Sequence, residues 1–229
     1  MNTDLLPGPP ADLVHRSLPL LEFEGVLFRT HHIGRGPLYF GAGPLRSGKD
    51  RLSRFDSPDG GYGVLYAGRD AYCAFIEGVA RTPGQVITTG ALKQRALSQL
   101  KAVRPLRLID LTESGSLLRV GADARLFSGP HRASQPWSKA FHGHPVQADG
   151  LVYPSRLDPR RHNIALFQGR VPRIHELSRQ SWYATGPQRL ILTEIIEHYR
   201  INLIEDHTTV GRMPPASAGQ RVLFRPEDS

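Results

Sequence analysis

Apolar residues recur along this chain in short runs, and their spacing predicts several brief strands mixed with a few helices. From Gly25 to Thr30 the run Gly-Val-Leu-Phe-Arg-Thr is apolar and β-rich, which predicts a strand delivering Arg29 at its end. Gly63-Val-Leu-Tyr-Ala67 predicts a second strand. Gly68-Arg-Asp70 then turns the chain, and Asp70 is placed to cap a helix from Ala71 to about Arg81 by accepting from its exposed first-turn N–H groups. In that helix Tyr72, Cys73, Ile76, Val79 and Ala80 recur at three- and four-residue steps, so one face packs inward. Glu77 lies four residues after Cys73 and therefore flanks the buried stripe instead of pointing squarely at water. Further strands are expected at Gln85–Thr89, Leu106–Leu111, Gly150–Tyr153 and Ile164–Gln168. A helix is expected over Pro187–Tyr199, with Leu190, Ile191, Ile195 and Ile196 on one side and a proline where a missing N–H is tolerated.

Between these elements the chain is irregular. Residues 1–20 hold four prolines and little periodicity, and read as a lead-in. Residues 34–63 carry eight glycines and three prolines, with Arg35, Arg46, Arg51 and Arg54 among them, which predicts a long functional or mobile loop. Residues 205–229 are polar and broken by prolines, a tail or a late edge element. The organisation that follows is a lead-in over 1–20, one domain over 21–204 and a tail over 205–229. No repeat of 20–50 residues is visible. Short strands with few helices predict an α+β fold, not the regular alternation of a doubly wound sheet.

Composition adds a charge. The 229 residues carry a formal net charge of +8, and all but four of the 29 basic residues are arginine. Such a balance favours anionic partners, and the planar guanidinium suits bidentate phosphate contacts. Cys73 is the single cysteine, which excludes an internal disulfide and a multi-cysteine zinc site. Among apolar neighbours it reads as a packing residue. No apolar run approaches the roughly 20 residues of a membrane span, and the first residues lack the pattern of a secretory signal, so a cytoplasmic protein without membrane contact is expected.

Three features bear on chemistry: Arg29 closing a strand, Tyr66 eleven residues before Glu77, and the segment Asp149-Gly-Leu-Val-Tyr-Pro-Ser-Arg156. Singly each has an ordinary structural explanation. Together, with Leu27-Phe-Arg-Thr30, Ser53-Arg-Phe-Asp-Ser-Pro58, Val64-Leu-Tyr-Ala-Gly68 and Ala74-Phe-Ile-Glu-Gly78, they match a family pattern in order and approximate separation. Over about residues 25–170 the chain resembles RES-domain proteins, named for an arginine, a glutamate and a serine; here these would be Arg29, Glu77 and Ser155. The resemblance implies a body like that of ADP-ribosyltransferase toxins, with small mixed or antiparallel sheets around an NAD cleft, packed by helices. It implies degradation of NAD by hydrolysis or phosphorolysis, with inorganic phosphate as co-substrate in the second case. It also implies a place as the toxin of a toxin–antitoxin pair, partnered by an antitoxin with a helix-turn-helix DNA-binding domain.

The residue types suit that chemistry. Cleaving the nicotinamide–ribose bond passes through an oxocarbenium-like ribose with a good leaving group, so no strong acid is needed. Glu77 supplies an anion beside the developing cation and an acceptor for a ribose hydroxyl. Arg29 clamps the pyrophosphate through charge-assisted bonds, and Arg54 adds a second phosphate contact. Tyr66 offers a face for the nicotinamide and a hydroxyl to orient a neighbouring group. Ser155 bonds the carboxamide or a phosphate oxygen.

Other readings stay open. Transfer of ADP-ribose onto a protein uses the same cation. The charge also suits nucleic acid, although the arginines are scattered and no recognition helix or basic–aromatic motif is present, so direct nucleic-acid binding is not expected. A non-catalytic module that only binds a partner or NAD is a third reading, and homo-oligomerisation is left open. His31-His32 alternate across a strand, and no carboxylate or cysteine completes a ligand set around His142 and His144, so no metal is expected. The glycine stretches match neither the dinucleotide fingerprint nor a Walker-type loop.

Overall fold

A computed structural model describes residues 6–41, 53–80 and 86–206. Arg46 and Arg51 of the glycine-rich loop, Gln85 of an expected strand and residues 207–229 lie outside these. The strands are β1 (Leu20–Phe23), β2 (Leu27–His32), β3 (Val64–Gly68), β4 (Ile87–Thr88), β5 (Arg95–Ala102), β6 (Leu106–Asp110), β7 (Gly150–Pro154), β8 (His162–Phe167), β9 (Ile174–Ser181) and β10 (Leu203–Ile204). The helices are α1 (Ala71–Gly78), α2 (Thr89–Lys93), α3 (Ser116–Val120), α4 (Arg125–Ser128), α5 (His131–Gly143) and α6 (Pro187–Tyr199). The chain is thus α+β. Among the described residues no helix is long and apolar enough to cross a membrane.

Eight strands form one sheet in the order β1-β6-β7-β8-β3-β2-β5-β9, and β4 with β10 makes a small second one. All neighbours in the large sheet run antiparallel except β6 and β7. The small sheets expected from the sequence are therefore continuous with each other, but only just. β2 meets β3 at one pair, Phe28 with Gly68, whereas β2 follows β5 over six pairs and β3 follows β8 over five. The sheet splits at that seam into two halves.

Strand periodicity sorts the core. Along β3, β7 and β8 the alternate residues Val64, Leu151, Tyr153, Ala165 and Phe167 pack on one face, beneath α4, α5 and the lead-in. Their neighbours Leu65, Ala67, Val152, Ile164 and Leu166 pack on the other. A third cluster joins α1 and α6 around Phe75, Trp182 and Ile195. From Leu6 on, the lead-in is irregular apart from a short 3-10 turn at Leu13–His15, yet it is not loose. Leu6, Leu13 and Leu18 are buried in the first cluster, and Trp137 Nε1 donates to the Pro7 carbonyl at 2.8 Å.

Several expected boundaries shift by one or two residues, two of them for evident local reasons. α1 ends at Gly78, where the Val79 and Ala80 N–H groups both turn back to the Phe75 carbonyl. The strand expected through Thr89 stops at Thr88, because the Thr88 hydroxyl accepts from Ala91 N and caps α2.

Candidate active site at the sheet seam

The turn after β3 carries the chain from one half of the sheet onto the split. Asp70 caps α1 as its position predicts, accepting from Cys73 N at 2.8 Å, and Arg161 pairs with its other oxygen at 3.1 Å. α1 then lies across the seam, and two glycines let it come close. A Cβ on Gly68 would stand 2.8 Å from both Ala74 N and Cys73 Cβ, and one on Gly78 would stand 2.4 Å from Thr30 Cβ. These approaches bring Glu77, near the end of α1, against the strand that carries Arg29. Gly78→Ala is accordingly expected to cost about 1–3 kcal/mol, the usual penalty of overpacking a tight contact. Chemical denaturation measures it, and an unchanged unfolding midpoint would show that the helix can shift freely.

A cleft of about 330 Å³ opens at this seam, within the size range of ligand pockets. Arg29, Arg54, Tyr66 and Glu77 all line it, with Asn163, Tyr153, His131 and Arg156. Glu77 is the one carboxylate among these lining residues, and three arginines give the remainder a positive character. Four of the five side chains assigned to the site from the sequence thus share one cavity. Ser155 stands immediately behind it.

Glu77 is held on one oxygen. Ser155 Oγ donates to its Oε1 at 2.6 Å and Asn163 Nδ2 donates to the same atom at 3.0 Å. Among the described residues no hydrogen bond falls on Oε2. Ser155 is 2% exposed, and its hydroxyl also accepts from Leu157 N at 3.1 Å and Asp158 N at 3.3 Å. One donor and two acceptors exhaust a hydroxyl. The direct contact to carboxamide or phosphate expected of Ser155 is therefore corrected: the side chain anchors the carboxylate and the turn after β7.

Arg29 presents the opposite case. Its Nη2 donates to the Tyr39 carbonyl at 2.7 Å, while Nη1 is buried and has no hydrogen-bond partner among the described residues. Desolvation by the surrounding protein pulls the guanidinium down to about 10, so it stays charged at neutral pH. A buried, charged donor lacking an acceptor is unfavourable, and such groups occur where a ligand supplies the missing oxygen.

Arg54 is 9% exposed, and its Nη1 donates to Gly129 O at 2.8 Å, with Leu126 O and Ser134 Oγ at 3.3 and 3.2 Å. That nitrogen ties the loop to α4 and α5. Burial lowers its basicity, while Tyr153 and Glu77 nearby raise it. The Tyr66 hydroxyl is likewise committed: it donates to Asp56 Oδ1 and accepts from Phe55 N, both at 2.9 Å. Desolvation, then the neighbouring Asp56, push this phenol far above its ordinary value. What Tyr66 contributes to the cleft is its ring.

Several lining residues escaped the reading of the sequence. Tyr153 and Arg156 lie within the matched Asp149–Arg156 segment and were overlooked as individuals. Asn163 gives no signal of its own beside the apolar strand it begins. His131 begins α5, a helix whose pattern was missed altogether.

A family model described as "RES domain" matches residues 26–192, more than half of the chain. A Sinorhizobium fredii protein named "Probable toxin y4kH" is 32% identical over 85 residues, or 37% of this chain, and the chain spans 65% of that relative's length. A chain from the crystal structure of the M. tuberculosis MbcT–MbcA toxin–antitoxin complex superposes with a TM-score of 0.53 at 15% identity, covering 74% of this chain and 93% of the other. That similarity extends to the α+β fold. With the family model spanning both halves of the sheet, the chain belongs to the RES-domain family.

Proposed function

We propose that this protein is the toxin of a toxin–antitoxin pair and that it degrades NAD by breaking the nicotinamide–ribose bond. One observation carries the reading: a carboxylate fixed through Oε1 shares a small cleft with a buried guanidinium nitrogen that has no partner among the described residues. The pyrophosphate satisfies Arg29 Nη1, and the Tyr66 ring flanks the nicotinamide. As the glycosidic bond to C1′ breaks, the electron pair leaves with neutral nicotinamide and the ribose becomes an oxocarbenium ion. Glu77 stabilises that cation electrostatically, and its Oε2 is the oxygen left to take a ribose hydroxyl. Water or inorganic phosphate then adds at C1′. The names of the two relatives support the toxin role, and an antitoxin with a helix-turn-helix domain in the cytoplasm is the partner this role implies.

The test is product analysis. Purified protein at micromolar concentration, free of any partner, is incubated with labelled NAD with and without phosphate, and the products are separated. Nicotinamide release is expected; dependence on phosphate identifies phosphorolysis, and its absence hydrolysis. ADP-ribose label on a protein band would mean transfer instead, and intact NAD under both conditions would overturn the reading.

A further inference from the structure

Two side chains grip the same oxygen of Glu77, and only one of them, Ser155, belongs to the family pattern. The other, Asn163, is 6% exposed at the start of β8, with its backbone paired to Gly68 of β3 on one side and Tyr153 of β7 on the other. The chemistry of its neighbours orients its amide. An ionised carboxylate only accepts, so the nitrogen faces Glu77 Oε1 at 3.0 Å. The amide oxygen then faces Cys73 Sγ at 3.2 Å. Burial raises that thiol, with Glu77 adding to the effect, so the S–H proton is retained and is donated between the Asn163 amide oxygen and the His162 carbonyl, 3.3 Å away. Cys73 and Glu77 lie one turn apart on α1, and between them they hold the two ends of one amide.

We infer that Asn163 is a positioning residue for Glu77: its amide, oriented by the Cys73 thiol, turns Oε1 toward the sheet and leaves Oε2 for the cleft. The inference rests on the reading of Glu77 as the stabiliser of the ribosyl cation. It also gives the single cysteine a task beyond packing. Ser155 acts on that oxygen from the turn after β7 and Asn163 from the start of β8, so neither alone fixes the carboxylate plane.

A purely structural asparagine and a positioning one differ in what their loss does. Asn163→Ala is expected to lower kcat for nicotinamide release by about tenfold to a hundredfold, the usual effect of losing a hydrogen bond to a charged group, with KM little changed. Asn163→Asp keeps the shape and places a second carboxylate beside the first, so kcat falls further than in the alanine variant. Cys73→Ala lowers kcat severalfold and Cys73→Ser, which keeps a donor, restores most of it. In a Glu77→Gln background Asn163→Ala adds little, because the charge it served is gone. Equal losses in both backgrounds, or unchanged kcat in the alanine and aspartate variants, overturn the inference. A crystal structure of Asn163→Ala gives a readout independent of turnover. If the wild type leaves NAD intact yet the Glu77 carboxylate turns away in the variant, positioning stands and the NAD reading falls. If the carboxylate keeps its place, the inference falls.

Discussion

Glu77→Gln is expected to slow nicotinamide release by two to three orders of magnitude while leaving KM for NAD within a few-fold of the wild type. The substitution isolates charge with little else. Glutamine retains an acceptor oxygen at the position of Oε1, so the Ser155 hydroxyl and the Asn163 amide still have their partner and the side chain keeps its rotamer. What vanishes is the negative charge beside C1′. Removing one preorganised electrostatic contact in a desolvated site typically costs about 3–4 kcal/mol of transition-state stabilisation, most of it arising only as the positive charge moves onto C1′. The fall therefore belongs in kcat. Single-turnover measurement of nicotinamide release checks it, and a rate equal to the wild type's would remove Glu77 from the chemistry. Ser155→Ala should do less, because it takes away one of two bonds holding the carboxylate and leaves the charge in place.

How far this site could be read from the sequence depends on the kind of order each residue obeys. Arg29, Tyr66 and Glu77 sit in short segments whose local geometry is simple: a strand, a turn capped by Asp70, and a helix whose apolar stripe leaves Glu77 at its edge. The bounds of α6, Pro187–Tyr199, are also those that the pattern predicts. α5 failed for an opposite reason. Its inward face mixes Trp137 and Phe141 with Ser134, Gln135 and Ser138, and Pro136 lies inside it, so it has helical spacing but too few apolar residues on the buried side to be read as a packed helix. Those polar residues are buried because each has a specific partner: Ser134 donates to Leu126 O, Ser138 to Phe55 O and Gln135 to Ser53 O. Polarity that is satisfied internally looks like surface in a one-dimensional pattern.

β5 and β9 were missed in a related way. Ser98 is fully buried on β5, bonded to His31 Nε2 and to Glu176 Oε1 at 2.9 and 2.8 Å, and β9 at the sheet edge is mostly exposed. Neither strand shows apolar alternation, and their pairing is carried by backbone hydrogen bonds that side-chain patterns do not report. The seam itself is a property of register. That β2 and β3 meet at Phe28 and Gly68 alone follows from how β5 and β8 each claim one of them, and no local signal encodes it. Ser155 was recognised as part of the site but given the wrong neighbour, since a sequence motif ranks residues by importance and not by what they touch.

Arg29→Met is expected to lower kcat/KM for NAD by about two orders of magnitude or more while leaving the fold as stable as the wild type, or more so. In the free protein the guanidinium is a liability. Its Nη1 is buried with no acceptor among the described residues, and desolvation pulls its pKa to about 10, below the ordinary arginine value. The sign of the linkage follows. A base whose pKa is depressed on folding destabilises the fold fully at any pH below about 10, hence at neutral pH, and the burden lifts only as pH rises through that value. Methionine fills similar volume without a charge, and gives up one bond to the Tyr39 carbonyl. In the complex the balance reverses. Each hydrogen bond from a guanidinium to phosphate contributes about 1.5–3 kcal/mol, and two of them account for the predicted loss. Arg29→Lys should restore little, because a single ammonium cannot bond the Tyr39 carbonyl and a phosphate oxygen with the same planar fork. Thermal unfolding with and without NAD separates the two roles. The ligand should raise Tm of the wild type and leave the methionine variant nearly unmoved. A variant that unfolds well below the wild type yet keeps its kinetics would make Arg29 a structural prop for the Tyr39 turn, and the anion clamp would have to be sought elsewhere in the cleft.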